Sequence, residues 1–338
     1  MIRVGLIGAG FMGTMHSSVY SFLPNVKVAA VCDLDREKAE KIAQQQGAKV
    51  YTDPDALLAD SSLKLDLVDI CLPTFLHAEY ACKAAASGLN VLCEKPFALD
   101  LQSVDKIISA VDEAKVKLMV GQCVRFWPEY QVLKQVATEG RFGEIQGAWF
   151  SRLSPLPTWG WENWLLDPAR SGGAAFDMHI HDTDFILYLL GKPQAVFSTA
   201  IEDQYGLSHI STQYLYDKLM VTAEAGWNYP AKFPFQAKFR VVFQEAVLAL
   251  EERGLIVYPG DGADPYSIEI KKDTSESSAA GGNISDLGGY YNEIKYYLDC
   301  LEKGESPKVV TAQSARESVA VTVAEIESAK SGKIVSIS

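Results

Sequence analysis

The sequence has no apolar run of the ~18–20 residues that a membrane span requires, no Cys-x-x-Cys pair, and a shortage of positive charge. Each absence removes a class of function. Without such a run, no membrane partner is expected. The six cysteines, Cys32, Cys71, Cys82, Cys93, Cys123 and Cys300, lie far apart. Their spacing gives neither a disulfide framework nor a metal knuckle, and reduced thiols are the expectation. Lys and Arg number 31 against 43 Asp and Glu, a net charge of -12. Such a surface repels phosphate backbones, so no nucleic-acid partner is expected. There is no internal repeat. Arg3 followed by VGLIGAGFMG mimics a signal peptide. The same residues carry a cofactor motif, so a cytoplasmic protein is expected.

What is present is an ordinary globular composition, 48% hydrophobic and 22% charged over 338 residues, long enough for two domains. The expected division is 1–121 and 122–338. In the first part, apolar runs at 2–7, 26–32, 67–72, 90–93 and 117–120 alternate with helical patterns. Residues 74–87 read as a helix ended by Gly88. Asp100 reads as the cap of another, with Leu101, Val104, Ile107, Ile108 and Val111 at helical spacing. Strand–helix alternation with unbroken apolar strands predicts a doubly wound parallel sheet. In the second part, helices are expected at 128–142 and 176–190. Strand-like runs then follow at 195–201, 210–216, 219–226, 237–243, 246–250, 255–258 and 267–270. Short turns between them predict a large, mostly antiparallel sheet. The polar stretch 273–289 reads as a loop, and helices are expected near 290–303 and 312–330. The fold class is therefore α/β, a Rossmann domain followed by an α/β domain.

Gly8-Ala-Gly10-Phe11-Met12-Gly13 follows a strand and opens a helix, and Asp33 ends the second strand. This is the context a dinucleotide fingerprint needs. Gly8 permits the turn, Gly10 lets a pyrophosphate approach, and Gly13 lets helix and strand touch. Asp33 would bind ribose hydroxyls and repel a 2′-phosphate, which favours NAD. Arg36 would pair with such a phosphate and keeps NADP open.

Lys95 follows the strand 90–93, where doubly wound sheets hold ligands, and can stabilise charge on a substrate oxygen. Asp177 and His181 lie four apart in a helical pattern and share a face. With Asp184 and Tyr188 they make one polar stripe, while Ile180, Thr183, Leu187 and Leu190 make an apolar one. A histidine beside a carboxylate is a natural general base. His179-x-His181 with Asp182 or Asp184 would suit a metal on a strand. On a helix the two rings diverge by roughly 200°, from about 100° per residue, so no metal is expected. Trp127, Trp149, Trp159, Trp161 and Trp164 cluster in sequence. Their faces suit sugar rings, although core packing is the commoner fate of tryptophan.

With the glycine motif, Glu94-Lys95-Pro96 and Asp177-x3-His181 in this order, the chain resembles the glucose–fructose oxidoreductase/inositol dehydrogenase (Gfo/Idh/MocA) family. Pro73-Thr74 with His77, Gly88, Arg125-Phe126 and Ser171-Gly172-Gly173 extend the likeness over nearly the whole length. Two positions depart from the family pattern: Ala174 where a third glycine is frequent, and Cys123 where asparagine is. The resemblance implies hydride transfer between NAD(P) and a hydroxyl-bearing carbon of a sugar, cyclitol or related polyol, in a homodimer or homotetramer. It matches Lys95, Asp177 and His181 to the catalytic set. The candidate cofactor contacts are Gly8, Gly10, Phe11, Met12, Gly13, Asp33, Leu34, Arg36, Leu72, Pro73, Thr74, His77, Glu94, Lys95 and Cys123. The candidate substrate contacts are Lys95, Arg125, Trp161, Asp177 and His181. Two rival activities share the resemblance: a glycoside hydrolase that retains its NAD, and a ligand-sensing regulator. The latter would have no need of a proton-transfer set.

Overall fold

The computed structural model describes residues 1–270 and 287–337. They form two compact units, Met1–Cys123 with 287–316, and 124–270 with 317–337. The sequence pattern places one boundary, at residue 121; packing draws the line differently. The helix Gly288–Glu302 belongs to the first unit, where Tyr297 Oη donates to the Lys117 carbonyl at 2.8 Å. Nothing local in 288–302 announces which unit its apolar face will meet. Residues 273–286 of the expected loop lie outside the described residues, and helix begins at Gly288.

The first unit runs β1 (Ile2–Ile7), α1 (Phe11–Ser21), β2 (Val26–Cys32), α2 (Arg36–Gln46), β3 (Lys49–Tyr51), α3 (Pro54–Ala59), β4 (Leu67–Ile70), α4 (His77–Ala86), β5 (Asn90–Glu94), α5 (Leu101–Ala114) and β6 (Leu118–Gly121). The strands pair in the order β3-β2-β1-β4-β5-β6, all parallel. β4 and β6 are buried at every position, as helices on both faces require. The helix ends are chemically specified. Asp35 caps α2 and Asp100 caps α5 through their carboxylates, and Gly47 and Gly88 take positive φ after α2 and α4. Because the sheet is parallel, all six strands end on one edge, and the strand order reverses between β1 and β4. Ligands of doubly wound folds bind at that edge.

The second unit contains α6 (Pro128–Thr138), β7 (Ile145–Pro155), α7 (Pro168–Ser171), α8 (Ile180–Leu190), β8 (Ala195–Asp203), β9 (Gly206–Leu215), β10 (Met220–Tyr229), β11 (Gln236–Phe243), β12 (Ala246–Glu251), β13 (Gly254–Pro259), β14 (Tyr266–Ser267) and β15 (Val335–Ser336). These strands pair as β14-β13-β12-β11-β7-β10-β9-β8-β15. Only β7 with β10 is parallel, so the sheet is mostly antiparallel as expected. β7 has no counterpart among the strands expected from sequence, and it lies mid-sheet. Helices α6 and α8 cover this sheet through edge-to-face aromatic contacts. Tyr130 meets Phe185 at 4.8 Å and Phe239 at 5.0 Å. Ala174 and Met178 pack on Ala225 and Trp227 of β10, which seats the segment leading into α8. No helix among the described residues is long and apolar enough to cross a membrane.

Candidate functional site

The cofactor candidates of the first unit follow a strand end or open the helix after it, except Glu94, which is the buried last residue of β5. Gly8 follows β1, Asp33 follows β2, Leu72, Pro73 and Thr74 follow β4, Lys95 follows β5, and Cys123 follows β6. Gly8 has φ +100°, and a Cβ there would stand 2.4 Å from the Cys71 carbonyl oxygen. At Gly13 a Cβ would stand 1.8 Å from the Gly8 oxygen. Both glycines are therefore obligatory for the turn and for helix–strand contact. Gly10 is different: a Cβ there meets nothing within 4 Å. It is the N-cap of α1, which has no side-chain cap and no acidic residue in its first turn. Phe11 and Met12, partly exposed, begin that helix. Open first-turn N–H groups at a helix N-terminus are what a phosphate needs.

Asp33 serves two ends. Its Oδ2 accepts the Ala9 N–H at 2.7 Å and its Oδ1 the Asp35 N–H at 2.8 Å. Each carboxylate oxygen keeps acceptor capacity for a ribose hydroxyl. Leu34 is largely exposed beside it. Arg36 pairs with Glu40 at 2.7 Å on the surface of α2. Gln122, which no sequence motif singles out, joins this edge. Its side chain, after β6, is buried, and neither amide atom has a hydrogen-bond partner among the described residues. A buried amide left this way is costly without a ligand. An open glycine, an uncapped helix, an acidic acceptor and an unpaired amide along one sheet edge fit a dinucleotide.

His77 sits between two loops of the sheet edge. Its ring is buried, with Nε2 2.8 Å from the Leu72 carbonyl and Nδ1 2.8 Å from the Pro96 carbonyl. Burial lowers its pKa, and the neutral ring donates to one carbonyl at a time. It ties the loops after β4 and β5 together. Thr74 is buried at the start of a 3₁₀ turn, Thr74–Leu76, before α4. Cys123, also buried, opens the turn Cys123–Phe126.

In the second unit, Gly172 and Gly173 both take positive φ. A Cβ on Gly172 would strike Phe176, and one on Gly173 would stand 2.9 Å from the Leu207 oxygen. The chain then makes a wide π-helical turn, Ala175–His179, before α8, a feature often found at functional sites. From 174 to 186 every residue is buried except Asp177 and His181. The expected polar stripe is thus narrower. Asp184 is buried and takes two bonds from Arg125, both at 2.7 Å, with a third from Ser318 at 2.7 Å. Asp182 is held the same way by Arg152 at 2.9 Å. Arg125, a candidate substrate contact, is a buried cation paired with Asp184, with the Tyr188 ring 4.8 Å away.

His179 and His181 differ in burial: the first is sealed in the interior, the second partly exposed. His179 is fully buried and meets Thr212 at 3.0 Å. Burial, with the nearby His209 and Arg152, drives its pKa down to about 3. Glu325 lies 3.7 Å from it and is pushed up to about 8 by burial. Both groups are neutral, so the contact is not a salt bridge. Trp161 is 41% exposed with the Arg170 guanidinium 5.3 Å over its ring. Trp159 is exposed too, whereas Trp127 and Trp149 are partly buried against Arg152 and Arg240.

Residues 2–122 match the family described as an oxidoreductase family with an NAD-binding Rossmann fold, GFO_IDH_MocA, and residues 130–249 match its C-terminal domain. An inositol 2-dehydrogenase of Rhizobium meliloti is 35% identical over 314 residues, covering 90% of this chain and 89% of its own. An inositol 2-dehydrogenase of an Arthrobacter species is 28% identical over 348 residues, covering 99% and 96%. The solved structure of a levoglucosan dehydrogenase with NADH and levoglucosan superposes with a TM-score of 0.85 at 22% identity, covering 99% of both chains. The chain belongs to the Gfo/Idh/MocA family of oxidoreductases, and its N-terminal unit is that family's NAD-binding Rossmann domain.

Proposed function

We propose that this protein oxidises a hydroxyl-bearing carbon of a sugar, cyclitol or related polyol, with Lys95, Asp177 and His181 as its catalytic residues. The observation that carries the reading is the selective exposure of Asp177 and His181 in an otherwise buried segment. Two titratable groups stay partly exposed where the rest is sealed, while the neighbouring Asp182 and Asp184 are neutralised by arginines. NAD held along the sheet edge by the glycine turn and Asp33 would supply the hydride acceptor for the carbinol carbon. His181 accepts the hydroxyl proton on a ring nitrogen, and Asp177, four residues before it, supports the resulting positive charge. Lys95 donates a hydrogen bond to the same oxygen and stabilises charge building there. Trp161 offers a ring face to the apolar face of a sugar. Asp33 selects NAD over NADP by charge. The names of the inositol and levoglucosan dehydrogenases support a cyclic polyol as substrate.

A spectrophotometric screen of sugars, cyclitols and polyols with NAD and with NADP tests this. NADH released in step with substrate oxidised is the expected result. Product formed with no net NADH would favour the redox-neutral hydrolase instead. We further infer a homodimer or homotetramer, testable by sedimentation, and a cytoplasmic location, which suits six cysteines that form no disulfide.

A further inference from the structure

We propose that His16 is a positioning residue for Lys95, acting through the carboxylate of Glu94. The inference rests on the reading of Lys95 as the group that binds the substrate oxygen. His16 lies on α1, one turn beyond the glycine motif, and is fully buried. Its Nδ1 is 2.8 Å from Asp69 Oδ2 on β4, and its Nε2 is 3.0 Å from Glu94 Oε1 at the end of β5. The first contact is a hydrogen bond; the second is an ion pair without hydrogen-bond alignment.

Two carboxylates facing two ring nitrogens call for an N–H on each, so the ring there is an imidazolium. One cation thus joins two anions that are themselves buried. Tyr20 Oη and the Cys71 thiol also reach Asp69, at 2.8 and 3.5 Å. Glu94 makes a second contact through its other oxygen, since Oε2 accepts the Lys95 backbone N–H at 3.2 Å. Gly121 closes the β6 side, where a Cβ would come to 3.0 Å from Oε1. The carboxylate that fixes the Lys95 backbone is therefore fixed by His16.

Removal of the imidazolium would leave Asp69 and Glu94 as buried like charges, and Glu94 would shift or take a proton. Either change loosens the Lys95 backbone. Displacement of a catalytic group by about an ångström can cost on the order of 10² in rate. The groups facing His16 are Asp69 and Cys71 from β4 and its end, Glu94 from β5, and Tyr290, whose ring centre is 6.3 Å away, from the helix Gly288–Glu302; Tyr20 of α1 donates to the same Asp69. Glu293 of that helix is also buried. Burial opposes a charged His16, but the pull of Asp69 and Cys71 outweighs it and raises its pKa well above the ordinary value.

The experiment has two arms, both on the full chain. First, ¹⁵N-histidine labelling of the wild-type protein, with five histidines in all, is followed by NMR through neutral pH, and Glu94→Gln identifies the His16 signals. A ring protonated on both nitrogens is expected; a neutral ring near pH 7 overturns the proposal. This arm needs no His16 variant to fold. Second, His16→Gln, Glu94→Gln and the double variant are assayed beside Lys95→Met. We expect kcat to fall roughly 10- to 100-fold in each single His16 or Glu94 variant, with KM for NAD little changed in His16→Gln. The double variant should be no worse than the poorer single one, because both break the same tether. Additive losses, or an altered KM with normal kcat, overturn the proposal. If Lys95→Met keeps its turnover, the reading of Lys95 fails instead; if only the His16 and Glu94 variants keep theirs, this inference fails alone.

Discussion

The Asp33 carboxylate, which faces the cofactor edge, also holds the glycine turn in place, accepting the Ala9 N–H at 2.7 Å. Specificity and architecture are therefore joined in one side chain. Asp33→Ala should weaken NAD binding as well as remove repulsion of NADP, because it leaves the Ala9 N–H without its charged acceptor. Asp33→Asn keeps an acceptor and should mainly lose discrimination. A hydrogen bond to a charged group is worth about 1.5–3 kcal/mol, so the NAD-to-NADP affinity ratio should fall roughly tenfold or more. Titration of both cofactors by tryptophan fluorescence measures it. Tighter binding of NADP by the unaltered protein would refute the assignment.

His181→Ala should lower kcat by roughly 10²–10⁴-fold, the usual worth of a general base, and leave NAD affinity nearly unchanged. In the wild-type enzyme the oxidation rate should rise with pH as the ring loses its proton, since only neutral imidazole accepts one. His179 is no substitute: it is fully buried, with its pKa lowered to about 3. Near-normal turnover in His181→Ala would show that the proton leaves by another group.

The parallel sheet and the glycine turn are legible in the sequence because their signals are local. Apolar runs mark buried strands, and Gly8 and Gly13 have no room for a side chain. β7 is not legible. Its buried face carries Arg152 and Ser154 beside Ala148 and Phe150, so its apolar pattern is broken by a residue that pairs with Asp182 30 positions away. The same cause hides the pairing of Arg125 with Asp184. Two charged residues 59 positions apart each look solvent- or substrate-facing until the fold brings them together. The cluster of His16, Asp69 and Glu94 is hidden for that reason too. Each residue lies on a different element, and only the strand order makes them neighbours.

The Arg125–Asp184 pair makes a prediction that separates structural from substrate-binding roles. Removing one member of a buried ion pair commonly costs about 3–5 kcal/mol. Arg125→Met and Asp184→Asn should both lower Tm markedly, in the absence of substrate. A normal Tm with a raised KM for substrate would return Arg125 to the binding site.

Activity should survive exhaustive dialysis against a chelator, and elemental analysis should find no stoichiometric zinc. The His179 ring is directed at Thr212 in the interior, so it cannot join His181 on one ion. Among the described residues, His16, Asp69 and Cys71 come close enough together to suggest a ligand set. Yet His16 Nδ1 and Asp69 Oδ2 are 2.8 Å apart, whereas ligands around one tetrahedral zinc stand about 3.3 Å apart, from bond lengths of about 2.0–2.1 Å. The contact is a hydrogen bond. Loss of activity on chelation, restored by zinc, would contradict both the roles given to Lys95 and His181 and the hydrogen-bonded state of His16.

Stability should fall as pH rises toward 8, and Glu325 should account for part of the slope. Its carboxyl is fully buried and receives the Thr183 hydroxyl at 3.0 Å, with His179 3.7 Å away and neutral. Burial raises its pKa from 4.5 to about 8. In the folded protein it keeps its proton across that interval, whereas the unfolded chain releases it. The unfolded state thus binds fewer protons, so unfolding free energy decreases with pH. The contribution is complete below the unfolded pKa, is lost progressively as pH rises, and is gone above the folded pKa. One proton corresponds to a slope of about 1.4 kcal/mol per pH unit at most. Glu325→Gln keeps a neutral side chain of the same shape at every pH. Urea unfolding of both proteins between pH 5 and 9 should show the variant gaining on the wild type as pH rises to about 8, then holding a constant lead. Parallel pH profiles would mean that Glu325 ionises in the fold as it does in water.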